Sequence, residues 1–195
     1  GWTQFSERDC MKVSGDRIVI DHCSFSWSTD ENVQSSANDI TFRHNIFSEG
    51  LHSEKHHKGG HSRGLLIMRP GSHRVAVVGN LFAHNLARNP TVSAGEAVVA
   101  NNLIDHVNVA IKTNCVARPG EGPVFINATH NAIKRANHPF VARAKHPDSR
   151  FYFAPDNLFN GKPFDSVAAI WEKHVSMPFE PGVAEACRAI EPPMT

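Results

Sequence analysis

The feature that most limits what this chain can fold into is a short apolar stretch that returns at intervals along it. Ile18-Val19-Ile20-Asp21-His22-Cys23-Ser24-Phe25 is followed by Thr41-Phe42-Arg43-His44-Asn45-Ile46-Phe47, by Ala76-Val77-Val78-Gly79-Asn80-Leu81-Phe82 and by Val98-Val99-Ala100-Asn101-Asn102-Leu103-Ile104. Looser copies surround Asn131 and Asn157. With Cys23 and these asparagines taken as equivalent, the steps are 22, 35, 22, 29 and 26 residues, a minimum near 22 padded by loops of unequal length. A repeat of this kind governs the whole architecture.

Each copy alternates apolar with small or polar residues and then turns at Asn, which is the pattern of a short half-buried strand. No single copy can bury its apolar side. About 22 residues are too few for a helix pair but suffice for three short strands and three turns, so stacked coils with one continuous core are expected. Once per coil, an Asn amide can donate to and accept from its counterpart above or below, and Asn tolerates the left-handed backbone of a tight turn. The alternative, hairpin turns in a β-sandwich, gives no reason for an in-register period. The expectation is an all-β, right-handed parallel β-helix of about six to seven coils, with strands at Ile18, Thr41, Ala76, Val98, Phe125 and Tyr152.

The 195 residues fit one domain over 1–195. Coils are expected to about residue 162, and a helical tail over 163–195, where Val167–Trp171 and Val183–Cys187 read as two short helices. Polar loops are expected from Lys112 to Pro123 and from Lys134 to Arg150. A formal net charge of +1 argues against nucleic acid or a membrane surface as partner. No run of about 18 apolar residues is present, and the first residues lack the layout of a signal peptide. The four cysteines, Cys10, Cys23, Cys115 and Cys187, show no C-x-x-C spacing. Cys23, standing where later coils have Asn, is expected to point inward, and Cys115 could pair with Cys187 if the tail folds back. Because the sequence opens within a coil, the exposed first coil is expected to be covered by a second copy in a homo-oligomer.

Chemistry-bearing residues gather at one turn. Asp30 lies seven residues past Cys23, Lys55 ten past Asn45 and Arg88 eight past Asn80, so successive coils can present them to one groove. Asp9, 21 residues before Asp30, should lie directly beneath it. Glu7, Asp9 and Asp30 together offer oxygen ligands for a hard cation such as calcium. The His-rich insertion between Ser48 and Met68 contains His52, His56, His57 and His61, whose spacing fits no zinc motif and suits a solvated loop.

Residues 19–31 (Val-Ile-Asp-His-Cys-Ser-Phe-Ser-Trp-Ser-Thr-Asp-Glu), Gly60-His61-Ser62, and Asn80-Leu81-Phe82-Ala83-His84-Asn85-Leu86-Ala87-Arg88-Asn89-Pro90 with Asn101-Asn102 behind resemble the pectate lyases of polysaccharide lyase family 1 over about residues 5–105. The resemblance implies calcium-assisted β-elimination on an acidic, uronate-containing polysaccharide such as pectate, by a secreted or periplasmic protein. It places Arg88 at the catalytic arginine, Asp9 and Asp30 at calcium aspartates with Glu7 nearby, and Lys55 or Lys58, with His61, against substrate. Two positions depart from the family pattern. Gln34 stands where a second calcium aspartate is expected and Ser93 where a second arginine is. The other reading is therefore a non-catalytic β-helix module that binds acidic glycan. An arginine is an unusual base, since its guanidinium keeps its proton at ordinary pH unless its surroundings are desolvated and cationic.

Overall fold

The computed structural model describes residues 8–52, 59–68, 73–115, 122–144 and 148–163. Over these the chain winds as a parallel β-solenoid. The first coil holds β1 (Met11–Val13), β2 (Asp16–Asp21) and β3 (Ser24–Ser26). The second holds β4 (Glu31–Ser35), β5 (Asn38–Arg43) and β6 (Ile46–Ser48), and the third β7 (Arg63–Met68), β8 (Val75–Val78) and β9 (Leu81–Ala83). Next come β10 (Thr91–Ser93), β11 (Glu96–Ala100) and β12 (Leu103–Cys115), then β13 (Phe125–Thr129), β14 (Ala132–Ala144), β15 (Arg150–Phe153) and β16 (Leu158–Phe159). A two-residue strand, β17 (Lys162–Pro163), closes back antiparallel on β16.

One face of the solenoid is a six-stranded sheet in the order β15-β13-β11-β8-β5-β2, which makes about five turns from first strand to last rather than the six to seven expected. Its register links Ile18 to Ile40, Ile40 to Val75, Ala76 to Val98, Val98 to Asn127 and Asn127 to Tyr152, all parallel. The expected parallel strands are thus all present. No helix occurs among the described residues, and the two expected helices lie outside them.

The expected polar loops are partly strand. β12 runs through Lys112 to Cys115, and β14 through Lys134 to Ala144, each passing from one solenoid face to the next without a break. Both turn the corner at a residue with a left-handed backbone, His106 (φ 56°) and Arg135 (φ 47°), and resume alternation, with Ile111 and Phe140 buried beyond. Polar composition concealed this because only every second side chain faces the core.

Inside, like residues stack on like. Phe25, Phe47 and Phe82 stack at centroid separations of 5.4 and 4.8 Å, and the column continues in register through Ile104, Ile133 and Phe159. Beside it runs the asparagine ladder, fully buried. Asn80 shows its bonding. Its Oδ1 accepts from the backbone N–H and the Nδ2 of Asn45, while its Nδ2 donates to the Phe42 carbonyl and to Asn102 Oδ1, at 2.9 to 3.1 Å. All four capacities of the amide are filled. The same pattern carries through Asn102 to Asn131 and Asn157. At the first coil the backbone N–H of Cys23 donates to Asn45 Oδ1, but the Cys23 side chain is exposed, not inward as expected. Among the described residues no coil lies beneath it to bury a ladder side chain. Cys187, and with it the expected Cys115–Cys187 pair, lies outside the described residues.

Candidate functional site

Left-handed turns are the solenoid's routine way of cornering, and they fall into three columns. Arg17, Asp39 and Arg74 form one; His22, His44, Gly79, Asn101 and His130 form a second, just before the ladder. Trp27, Glu49, His84, His106, Arg135 and Asn160 form the third. Among the described residues one non-glycine residue with positive φ stands outside every column: Arg88, at φ 64°. Backbone in a sparsely populated region persists only where its surroundings hold it.

What holds it is a second set of buried amides, separate from the ladder. Asn85 Nδ2 donates to the Phe47 carbonyl (2.8 Å) and to Asn89 Oδ1 (3.0 Å), and its Oδ1 accepts from the Gly50 N–H (2.9 Å). Asn89 Nδ2 donates to the Val109 carbonyl, and Asn32 Nδ2 to the Ser48 carbonyl. The Arg88 carbonyl accepts from the Leu65 N–H at 2.7 Å. Gly64 makes this approach possible, because a Cβ there would meet Arg88 O at 2.5 Å and Asn89 Oδ1 at 2.9 Å.

The Arg88 guanidinium reaches back across two turns, past the strand that carries Arg63, and forms an ion pair with Glu31. Glu31 opens β4, aligned in register with Arg63 of β7, and Arg63 bridges in turn to Ala87. The Glu31 N–H donates to Asp9 Oδ1 at 3.1 Å. Asp9 therefore lies against Glu31, one position along from the Asp30 beneath which it was expected; with β1 and β4 paired Met11 to Val33, the coil step here is 22 residues rather than 21. Asp30 itself is buried, and its Oδ1 lies 2.7 Å from His61 Nε2. His61, expected against substrate, is 2% exposed and sits behind that carboxylate. The oxygen and nitrogen atoms of Asp30, Glu31 and His61 come within 4.8 Å of one another.

Burial pushes both guanidinium groups down from their ordinary range. At Arg88 the negative charges of Asp30 and Asp9 oppose that shift, and at Arg63 Asp30 does. Burial also pushes the Asp9 carboxyl up; Lys12 opposes this and the Asp30 charge adds to it. Sequence reasoning brought Asp9, Asp30 and Arg88 together, and missed Glu31, Arg63, Gly64 and the Asn32, Asn85 and Asn89 amides. Glu31 and Arg63 were visible as the residues that follow Asp30 and Gly-His-Ser, but only the register shows them facing one another. Gln34 lies mid-strand between Lys12 and Leu66, and Ser93 beside Met68. Glu7, Lys55 and Lys58 lie outside the described residues.

The donor set suits a hard cation. Asp30, Glu31 and His61 offer ligand atoms within 4.8 Å of one another, and Asp9 adjoins them through its Oδ1 on the Glu31 N–H, with its Oδ2 3.4 Å from Lys12 Nζ. Adjacent buried carboxylates of this kind are oxygen donors such as a hard dication takes.

No family model matches the chain. It is 34% identical over 102 residues to the probable pectate lyase C of Neosartorya fischeri, and 32% identical over 102 residues to proteins of that name from two strains of Aspergillus fumigatus. Each match covers 51% of this chain and 22% of the relative, so the aligned part is under a quarter of those proteins' length.

Proposed function

We propose that the cluster around Arg88 is the catalytic site of a polysaccharide lyase acting on an acidic, uronate-containing glycan such as polygalacturonate. The observation that carries this reading is Arg88 itself, half-buried and paired with Glu31 on a left-handed backbone that the solenoid's own turns do not call for. The partial likeness to probable pectate lyases supports it, as does the parallel solenoid, taken here as right-handed, the sense favoured for parallel crossovers. A polymeric substrate of this kind implies a secreted or periplasmic setting.

In β-elimination a base removes the proton at C5 of a uronate, the electron pair moves to form the C4–C5 double bond, and the C4–oxygen bond breaks. Arg88 is assigned as the base. Burial disfavours its charged form while Asp30 and Asp9 favour it, so the balance is set by how far that negative field is neutralised. Arg63, on the neighbouring coil, supplies a second positive charge where Ser93 does not, and Glu31 fixes the direction of the Arg88 fork. His61 orients the Asp30 carboxylate from behind. Asp9, Asp30 and Glu31 are the residues that would hold calcium. When bound, the ion would neutralise the substrate carboxylate and so make the C5 proton more acidic.

The test is the ultraviolet absorbance of unsaturated uronate released from polygalacturonate, with and without calcium. Product that depends on calcium is expected. No product at any calcium level from the intact chain would sink the lyase reading. The ion pair between Arg88 and Glu31, with Gln34 and Ser93 at positions of reduced charge, favours a second reading, an acidic-glycan-binding module; retention on pectate without product would identify it.

A further inference from the structure

We infer that Asp21, His22 and His44 form a binding site for a borderline transition-metal dication such as zinc, a clip between the first and second coils that is separate from the Arg88 cluster and independent of the lyase reading. His22 and His44 occupy the same turn position on adjacent coils, each with φ 53°, so the backbone aims both imidazoles from one edge of the solenoid. Their ring centroids are 4.9 Å apart, close to the spacing of the strands that carry them. Both present Nδ1 to the same carboxylate oxygen: Asp21 Oδ1 lies 2.6 Å from His22 Nδ1 and 3.3 Å from His44 Nδ1, and the three atoms fall within 4.8 Å of one another. Zinc binds imidazole nitrogen and carboxylate oxygen at about 2.0–2.2 Å, which places tetrahedral neighbours roughly 3.3–3.5 Å apart. Small side-chain rotations therefore suffice.

Two features beyond the cluster prepare it. Arg43 Nε donates to Asp21 Oδ2 at 2.9 Å, so the carboxylate is fixed from behind with Oδ1 toward the imidazoles, as outer partners orient metal ligands. On the third coil the same turn position is Gly79, where a Cβ would meet His44 Cδ2 at 3.0 Å; the glycine keeps that side of the ring clear. The guanidinium of Arg43 is the opposing charge, and its engagement with Oδ2 leaves the other oxygen to the metal. Two nitrogens and one oxygen select zinc, copper or nickel over calcium. Both imidazoles are more than half exposed on their side chains, 75% and 53%, which leaves the fourth position to water. The clip would tie down the first coil, whose strand β2 is the most exposed of its sheet and, among the described residues, pairs with β5 alone.

Calorimetric titration of zinc into the intact chain, with calcium in excess to occupy hard sites, is expected to show one zinc per chain. The double substitution His22→Ala with His44→Ala should weaken it at least about tenfold, within the range for disturbed metal sites. Because both side chains are exposed, the fold should survive. As an independent readout, zinc should slow amide exchange over residues 16–26 in the unsubstituted chain and shift the His22 and His44 ring resonances. Unchanged zinc affinity in the double variant, ring shifts confined to His61, or no binding by the unsubstituted chain would each overturn the proposal.

Discussion

The two buried amide systems of this protein use one side chain for opposite purposes. In the ladder, Asn45, Asn80, Asn102 and Asn131 repeat the same bonds, each amide joining its own coil to the coils on either side, and Asn157 ends the series by donating to the Ala128 and Ala154 carbonyls. In the cluster of Asn32, Asn85 and Asn89 no two members make the same bonds. Asn85 and Asn89 bond to each other within a single turn, and the product is one displaced residue, Arg88. Repetition stabilises the stack. Breaking the repetition makes a place where one backbone conformation differs from its neighbours, and a charged side chain can be aimed by it.

The sharpest way to break this comparison is to keep the scaffold and change the displaced residue. Arg88→Lys retains the charge near Glu31 but not the planar fork. Turnover on polygalacturonate is expected to fall roughly 10²–10⁴-fold, the range for removing a positioned acid or base, with the melting temperature little changed. Unaltered turnover would remove Arg88 from the mechanism.

Asn80→Ala tests the ladder. It deletes the acceptor for Asn45 N–H and Nδ2 and the donor to the Phe42 carbonyl, all buried, and at about 1–3 kcal/mol for each unsatisfied group the loss should be roughly 3–5 kcal/mol in denaturant titration. Asn85→Ala makes the contrast direct: it strands a similar number of buried partners, so a similar loss of stability is expected, but with a much larger loss of turnover per folded molecule. If the two substitutions lower both quantities in the same proportion, the division between scaffold and site fails.

Gly64→Ala should cost about 1–3 kcal/mol, as overpacking does, because the new Cβ meets the Arg88 carbonyl and that backbone must move. Turnover should fall with it, and a crystal structure of the variant should show Arg88 shifted.

The smallest effect concerns Asp9. Its carboxyl is raised above the ordinary 3.8 chiefly by burial, so the folded state holds the proton more tightly than the unfolded one. The stability tied to Asp9 is therefore present below the ordinary value and is lost as pH rises through the raised one. Asp9→Asn should stabilise the calcium-free protein slightly at neutral pH and leave stability unaltered below the ordinary value, as read by urea midpoints. It should also weaken calcium binding, since a charged oxygen ligand is gone.

Much of the fold was legible because a solenoid writes its period into the chain. The steps between Cys23 and the asparagines match the observed ladder bonds at every coil, including the irregular steps of 35 and 29 residues. The one continuous core followed from the same alignment. The strand character of Lys112–Cys115 and Lys134–Ala144 did not, because a strand turning a corner alternates on either side of the turn and loses its phase across it.

The site was legible only in outline. Aspartates and an arginine at similar offsets from the ladder indicated one turn, and the structure does bring Asp9, Asp30 and Arg88 together. Counting along the chain was accurate to one residue, however, and one residue decides which carboxylate faces which neighbour. Asp9 meets Glu31, and His61 turns to Asp30 rather than outward.

The sequence alone determined the stacking axis, the residues that repeat along it and the inventory of charge at one turn, because periodicity and side-chain type are properties of the chain. Only the tertiary structure decided that Arg88 leaves the common turn conformation, that Gly64 and three amides hold it there, and that Glu31 and Arg63 complete the cluster. Those outcomes depend on distances between coils, where a shift of one residue or one Cβ exchanges an ion pair for a clash, and no local pattern records them.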